Sequence, residues 1–255
     1  MVRVLAGATL KQRHKDSVLG YFWSLAQPLG LFAVLYLVFG HAFRLDDRIP
    51  NYPIFLLIGF SLFLFLAEAP ARTMSELLAQ SQLMRKLPLS PLIVVIAVSV
   101  TSLIDFGFYI AALAVFVGVS GIVPQLDWLG LIPLVLELYI FILGVSMIAA
   151  TLNARFRDMG AIWDILTRAF FYGSAIFFPV QLLPQWAEHL ILVNPFGQVM
   201  QDARVLVLYD QDIVTLPEVL GGPIAYAVPV AITAGLFAFG LLFFRWRQPW
   251  FAEGL

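Results

Sequence analysis

The chain contains no cysteine among its 255 residues. Disulfide staples, thiolate nucleophiles and cysteine-based metal sites are thereby excluded. Charge is scarce as well: Asp, Glu, Lys and Arg make up 12% of the residues, about half the share usual in soluble domains. With 61% hydrophobic residues and a mean hydropathy of +0.91, the chain has too little polar surface to cover a globule in water. Its solvent is lipid. A net charge of −1 gives no ground for a nucleic-acid partner. The three histidines, His14, His41 and His189, are far apart, so no metal site is expected. There is no G-x-x-x-x-G-K-[ST], no H-E-x-x-H and no G-x-S-x-G. A nucleotide-phosphate cradle, a zinc protease and a serine hydrolase of those types are excluded. The start, "MVRVLAGATL", does not read as a signal peptide, because its basic cluster follows the short apolar piece.

Long apolar runs are what the chain does have. A spanning helix takes roughly 20 apolar residues. Six segments meet this, at about 18–43, 54–71, 91–119, 129–152, 162–180 and 222–244. The runs are continuous rather than alternating, which favours helices over a closed barrel. The expected fold is an all-α integral membrane domain covering 1–255, with six transmembrane helices and no soluble domain.

The basic residues set the expected orientation. With the N-terminus cytoplasmic, the inner side carries Arg3, Lys11, Arg13, Lys15, Arg72, Arg85, Lys86, Arg155, Arg157, Arg168, Arg245 and Arg247. The outer side carries only Arg44, Arg48 and Arg204. Both termini are then cytoplasmic. The cluster Arg13, His14, Lys15 against the first apolar run predicts an amphipathic interfacial helix on the inner leaflet. Pro28 predicts a kink inside span one.

The outer segment 181–221 is apolar at 190–193 and 205–208, and Asn194–Pro195 interrupts it. Two short helices are expected, either lying on the lipid surface or closing an external opening as a re-entrant gate.

Four ionisable residues fall inside spans: Glu68, Asp105, Glu137 and Arg168. Such groups are functional candidates because they are costly in lipid. Glu68 lies roughly 21 Å from the outer end of its span and Arg168 roughly 9 Å from the inner end of its own. The depths coincide, so a Glu68–Arg168 contact is one reading; local pairs, Glu68 with Arg72 and Asp164 with Arg168, are the other. Asp105 and Glu137 also share a depth. They read either as a proton relay or as protonated hydrogen-bond donors.

Four motifs now resemble a known family. "RHKDSVLGYFWSLAQP" at 13–28, "LMRKLPLSP" at 83–91, "TLNARFRDMGAIWDIL" at 151–166 and "LVNPF" at 192–196 are similar, in order, to segments of bacterial ABC-2 permeases that export polysaccharides. The resemblance implies a homodimer in the bacterial inner membrane, working with two copies of a separate ATPase subunit that binds ATP and Mg. The cargo implied is a lipid-linked glycan, moved outward. No cofactor is implied in this chain, and it is not itself an enzyme.

On that resemblance the 73–90 loop is a coupling element, with Leu77, Leu78, Leu83 and Met84 as knobs and Arg85 and Lys86 as charged partners; a basic lipid anchor is the alternative. Asn153, Arg155, Arg157 and Asp158 form a second ATPase contact, or Arg155 and Asp158 pair locally. Arg13, His14, Lys15 and Trp23 are candidates for the entry site of the lipid headgroup. Sugar faces pack on aromatic rings, which makes Phe22, Phe170, Phe171, Tyr172, Phe177 and Phe178 channel candidates; belt and packing roles compete. Phe170, Ser174 and Phe177 are expected on one helical face. Other readings are an ABC-2 permease for drugs or small lipids, and an ion-coupled secondary transporter.

Overall fold

A computed structural model describes residues 20–80, 90–210 and 212–248, the first six of them as backbone only. All regular structure among these residues is helical. Helix α1 (Gly20–Leu35) contains Pro28 without ending there, and continues as a π-helical stretch, Tyr36–Ala42. Helices α2 (Tyr52–Ala79), α3 (Pro91–Val119) and α4 (Leu131–Arg155) follow, with a 3-10 turn at Leu126–Gly130 leading into α4. Then come α5 (Met159–Gly173), α6 (Gln185–Val193), α7 (Pro195–Leu208), α8 (Leu216–Leu220) and α9 (Ala227–Trp246).

Four stretches are long and apolar enough to cross a membrane: Tyr52–Ala79, Pro91–Val119, Leu126–Arg155 and Pro223–Trp246. They correspond to predicted spans two, three, four and six. Ala26–Ala42, in the region of predicted span one, is a shorter apolar helix. Predicted span five, 162–180, is different. Helix α5 stops at Gly173, and residues 174–178 turn away, with Ala175 at a φ of +53°. The interfacial helix expected around Arg13, His14 and Lys15 lies outside the described residues.

Helix α2 is the centre of the bundle and packs between α3 and α4. Its Tyr52, Phe55, Phe60 and Phe65 meet Phe106, Leu138, Phe177 and Phe196 in one large core. A second core near the other end joins Leu77, Val94, Met147 and Phe244. Lipid supplies little hydrophobic drive between helices, so close backbone approach matters. Gly144 of α4 and Gly240 of α9 provide it. A Cβ at Gly144 would sit 2.9 Å from the Phe237 backbone, and one at Gly240 would sit 2.6 Å from the Gly144 carbonyl oxygen.

The predicted break at Asn194–Pro195 is the junction between α6 and α7. The Asn194 side chain accepts the Phe196 N–H at 2.9 Å, and Pro195 takes a first-turn position that needs no donor. Gly197 lies so close to the Ile191 carbonyl that no Cβ fits, which fixes a tight hairpin. At 9 and 14 residues neither helix reaches across a bilayer. α7 is buried along most of its length, so the surface-helix reading fails for it. α6 keeps Trp186 and Leu190 exposed.

Candidate functional site

Arg204 is the largest fully buried side chain among the described residues. By sequence it counted only as an outer charge. Its position follows from the α7 pattern, in which Phe196, Met200, Ala203 and Val207 form the buried face and Arg204 sits beside it. The guanidinium donates to the carbonyls of Phe55 (3.2 Å), Ala175 (3.3 Å) and Ile176 (2.7 Å) and to Gln201 Oε1 (2.8 Å). It also stacks 3.5 Å above the Phe55 ring. Four of its five N–H donors are thus used, by dipoles rather than by a carboxylate. Burial lowers its pKa to about 9, which leaves it a cation at neutral pH. The left-handed Ala175 explains why α5 ends early: the turn aims two consecutive carbonyls at this cation. Gly59 is part of the socket, since a Cβ there would lie 2.7 Å from Arg204 Nη2. One side chain therefore clamps α7 to α2 and to the 174–178 turn.

The intramembrane charges are arranged differently from either depth-matched pairing. Arg72 bridges Glu68 and Asp105, joining α2 to α3, and the Tyr109 hydroxyl donates to Glu68 Oε1 at 2.9 Å. The local Glu68–Arg72 pair holds. The Glu68–Arg168 contact does not form, and Asp164–Arg168 is not an ion pair among the described residues. Two carboxylates within reach of one guanidinium outcompete longer alternatives. Asp105 pairs with Arg72. Glu137 instead faces the α7 side of the bundle, near Asp202, with its Oε1 buried and without a hydrogen bond. Asp202 accepts from Gln198 Nε2 (2.6 Å) and the Tyr226 hydroxyl (3.2 Å). Burial raises the Asp202 pKa, and these two hydrogen bonds act against that rise.

The aromatics of the fifth segment divide by burial. Phe177 is 1% exposed and stacks on Phe39 at 4.6 Å. Phe171 packs on Phe63 at 4.6 Å, and Phe170 meets Phe196 edge-on at 5.1 Å. Phe178 is half-buried against the same core. Tyr172 alone of the five is open, at 67% exposure. Phe170, Ser174 and Phe177 do not share a helical face, because α5 ends before Ser174. Phe22 and Trp23 lie on α1, with side chains outside the description.

At the Ala79 end of α2, the α4–α5 junction forms a charged knuckle. Arg155, Arg157 and Asp158 are exposed around an exposed Phe156. Arg155 and Asp158 do not pair with each other. Asn153 Nδ2 reaches the Met74 carbonyl at 3.4 Å, placing the knuckle beside the last turns of α2. There Leu77 is core and Leu78 is exposed. Leu83, Met84, Arg85 and Lys86 lie outside the described residues.

A cavity of about 440 Å³ opens between α2, α3, α4 and α7, lined by Ile58, Phe106, Leu113, Trp128, Val135 and Ala203 among others. It is large enough for a sugar, but its wall is almost wholly apolar, and hydroxyls stripped of water there would go unpaired. Such a lining does not suit a sugar. No group of His, Asp and Glu that could hold a metal ion occurs among the described residues.

Residues 2–208 match the sequence model of the ABC-2 type transporter family. The chain is 30% identical over 204 residues to the O-antigen export system permease protein RfbA of Klebsiella pneumoniae, covering 80% of this chain and 78% of that protein. The RfbA of Myxococcus xanthus is 26% identical over 201 residues, 77% of this chain and 76% of its own. The polysialic acid transport protein KpsM of Escherichia coli is 24% identical over 196 residues, 74% of each chain.

Proposed function

The chain belongs to the ABC-2 type transporter family, and from that premise we propose that it is the membrane subunit of an ATP-driven exporter carrying a lipid-linked polysaccharide out through the bacterial inner membrane. The observation that carries this reading is the similarity to an O-antigen export permease across four-fifths of the chain. ATP and Mg are assigned to a separate ATPase chain, the partner that the ABC-2 family implies. The exposed knuckle of Arg155, Phe156, Arg157 and Asp158, with Leu78 nearby, suits that partner's docking. The 73–90 loop, with Leu83, Met84, Arg85 and Lys86, is assigned to the same contact.

The six-span topology with both termini cytoplasmic completes the reading. Helix α1 with its π-helical extension supplies the first crossing, and α5 with the turn after it supplies the fifth. Both carry apolar surface that no described residue covers: Leu31 and Val34 on α1 with Leu37 on its π-helical extension, and Ile162, Ile165 and Leu166 on α5. Such surface suits a second copy of the chain. α6 and α7 form the outer gate, held by Arg204. Arg13, His14, Lys15 and Trp23 are assigned to the glycan-lipid headgroup.

Deletion of the gene in its own host tests this. Surface polysaccharide is lost and its lipid-linked precursor accumulates on the cytoplasmic side. Normal surface polysaccharide in the deletion strain contradicts the proposal.

A further inference from the structure

The apolar cavity has a definite place in the bundle. Helices α3 and α4 each pack along α2 but hardly touch one another, and the cavity occupies the gap between them. Its α3 wall is Phe106, Ile110, Leu113 and Val117. These positions, at i, i+4, i+7 and i+11, form one face of a helix. They span roughly 16 Å along the axis, close to the hydrocarbon depth of one leaflet, about 15 Å. Ile132 and Val135 stand on the α4 side. The result is a straight slot running from the 120–130 loop toward the membrane centre. Ile110 and Ile132 stay exposed, so the slot opens sideways, toward the bilayer.

The dimensions and chemistry narrow the occupant. Water does not fill a space whose wall is almost wholly apolar. Over that length a volume of about 440 Å³ gives a cross-section of about 27 Å², against roughly 80 Å² for a helix about 10 Å across. A helix of a partner or of a second copy therefore does not enter, and one laid over the mouth leaves the space beneath without contacts. Residues 1–19, 81–89 and 249–255 adjoin α1, α2 and α9 at the opposite end of the bundle. There Leu77 and Phe244 share a core, while the far end of α1 meets Tyr52 through Tyr36. A single extended hydrocarbon chain is narrow enough, and it is what the surrounding membrane supplies.

The loop at the slot's open end adds a headgroup preference. Asp127 is the one charged residue between Ser120 and Gly130. It is exposed and has no ion-pair partner among the described residues. Its neighbour Trp128 lines the slot, and tryptophan favours the boundary between hydrocarbon and headgroups. A carboxylate at that level repels an anionic headgroup and attracts an ammonium. We propose that the α3–α4 slot holds one acyl chain of a phosphatidylethanolamine molecule, whose ammonium meets Asp127. The bound chain fills a gap that no described side chain fills and so joins α3 to α4. The slot is independent of what the transporter carries; placing the lipid in the outer leaflet rests on the six-span topology proposed above.

Photolabelling tests this in the full transporter, this chain with its ATPase, in lipid nanodiscs. The probe is phosphatidylethanolamine with a diazirine in its acyl chain, and labelled peptides are mapped by mass spectrometry. The comparison surface is α9, where Val230, Phe239 and Leu242 are exposed to the same lipid without a cavity. On dilution with excess unlabelled phosphatidylglycerol, labelling of α9 should fall in proportion, while labelling of 106–117 and 131–135 should persist. Ala114→Trp, which plugs the slot, should abolish the persistent labelling. Asp127→Asn, on the exposed loop, keeps the test open if Ala114→Trp fails to fold. It should lower the preference for phosphatidylethanolamine over an equally labelled phosphatidylglycerol by about threefold, the size of one exposed charge pair. Slot labelling that dilutes in step with α9 means bulk lipid alone and overturns the proposal. Slot peptides that neither lipid labels overturn it as well, since a protein segment then covers the gap. A headgroup preference unchanged by Asp127→Asn overturns the role given to its carboxylate.

Discussion

Replacing Arg204 by Met removes the clamp on α7 while keeping a long side chain in the socket. The loss strips donors from the Ala175 and Ile176 carbonyls and from Gln201 Oε1, all in a dry interior. Each buried group left unpaired costs about 1–3 kcal/mol, and relief from burying a cation offsets part of the sum. A net loss of about 3–5 kcal/mol follows, in line with breaking other buried ionic arrangements. For a chain of this length that lowers the melting midpoint by on the order of 10 °C. The assay is thermal unfolding of the purified transporter, with limited proteolysis of 181–221 as a local readout. Arg204→Lys falls short too, because an ammonium cannot reproduce the planar fork or its stacking on Phe55. Gly59→Ala pushes a methyl against Nη2 and destabilises the parent, but does less harm in the Arg204→Met background. Melting of Arg204→Met within about 2 °C of the parent, under 1 kcal/mol by the same conversion, refutes the clamp.

Arg72→Met removes the guanidinium that bridges Glu68 and Asp105, and should cost about 3–5 kcal/mol in unfolding assays; Glu68→Gln with Asp105→Asn in the same chain should recover much of it. Gly240→Leu forces α9 away from the Gly144 carbonyl and should lower the melting midpoint more than Gly235→Leu, where a Cβ meets open space. Asp202→Asn removes a buried charge and lets Gln198 turn its unpaired Oε1 toward a donor, so stability at neutral pH should hold or rise. The sign with pH follows. Burial raises the folded-state pKa of Asp202 above its unfolded value, so its effect on stability worsens as pH rises through that window. The gain from Asp202→Asn should therefore fade below the window, and a gain that grows on acidification would contradict it.

The apolar runs made the long helices legible. Pro91 after Ser90 opens α3, and its end at Val119 agrees with the expected boundary. Asn194–Pro195 marked the α6–α7 junction by turn chemistry alone. The end of α5 was also signalled, by Gly173 before Ser174 and by Pro179 soon after, but apolar continuity masked it. The charges were less legible because depth counted along separate helices says nothing of which faces meet. Arg72 sits one turn from Glu68, yet its bridge to Asp105 depends on how α2 and α3 rotate against each other. Arg204 was counted as a topology signal because the positive-inside rule treats every loop arginine alike; only packing shows it surrounded by carbonyls.

Translocation in inverted membrane vesicles tests the account most directly. Vesicles carrying this chain and its ATPase are loaded on the outside with radiolabelled lipid-linked glycan from the host. Glycan should become resistant to an external glycosidase only when ATP and Mg are supplied and both proteins are present. Protection driven by an ion gradient without ATP, or equal protection in vesicles lacking this chain, contradicts the account.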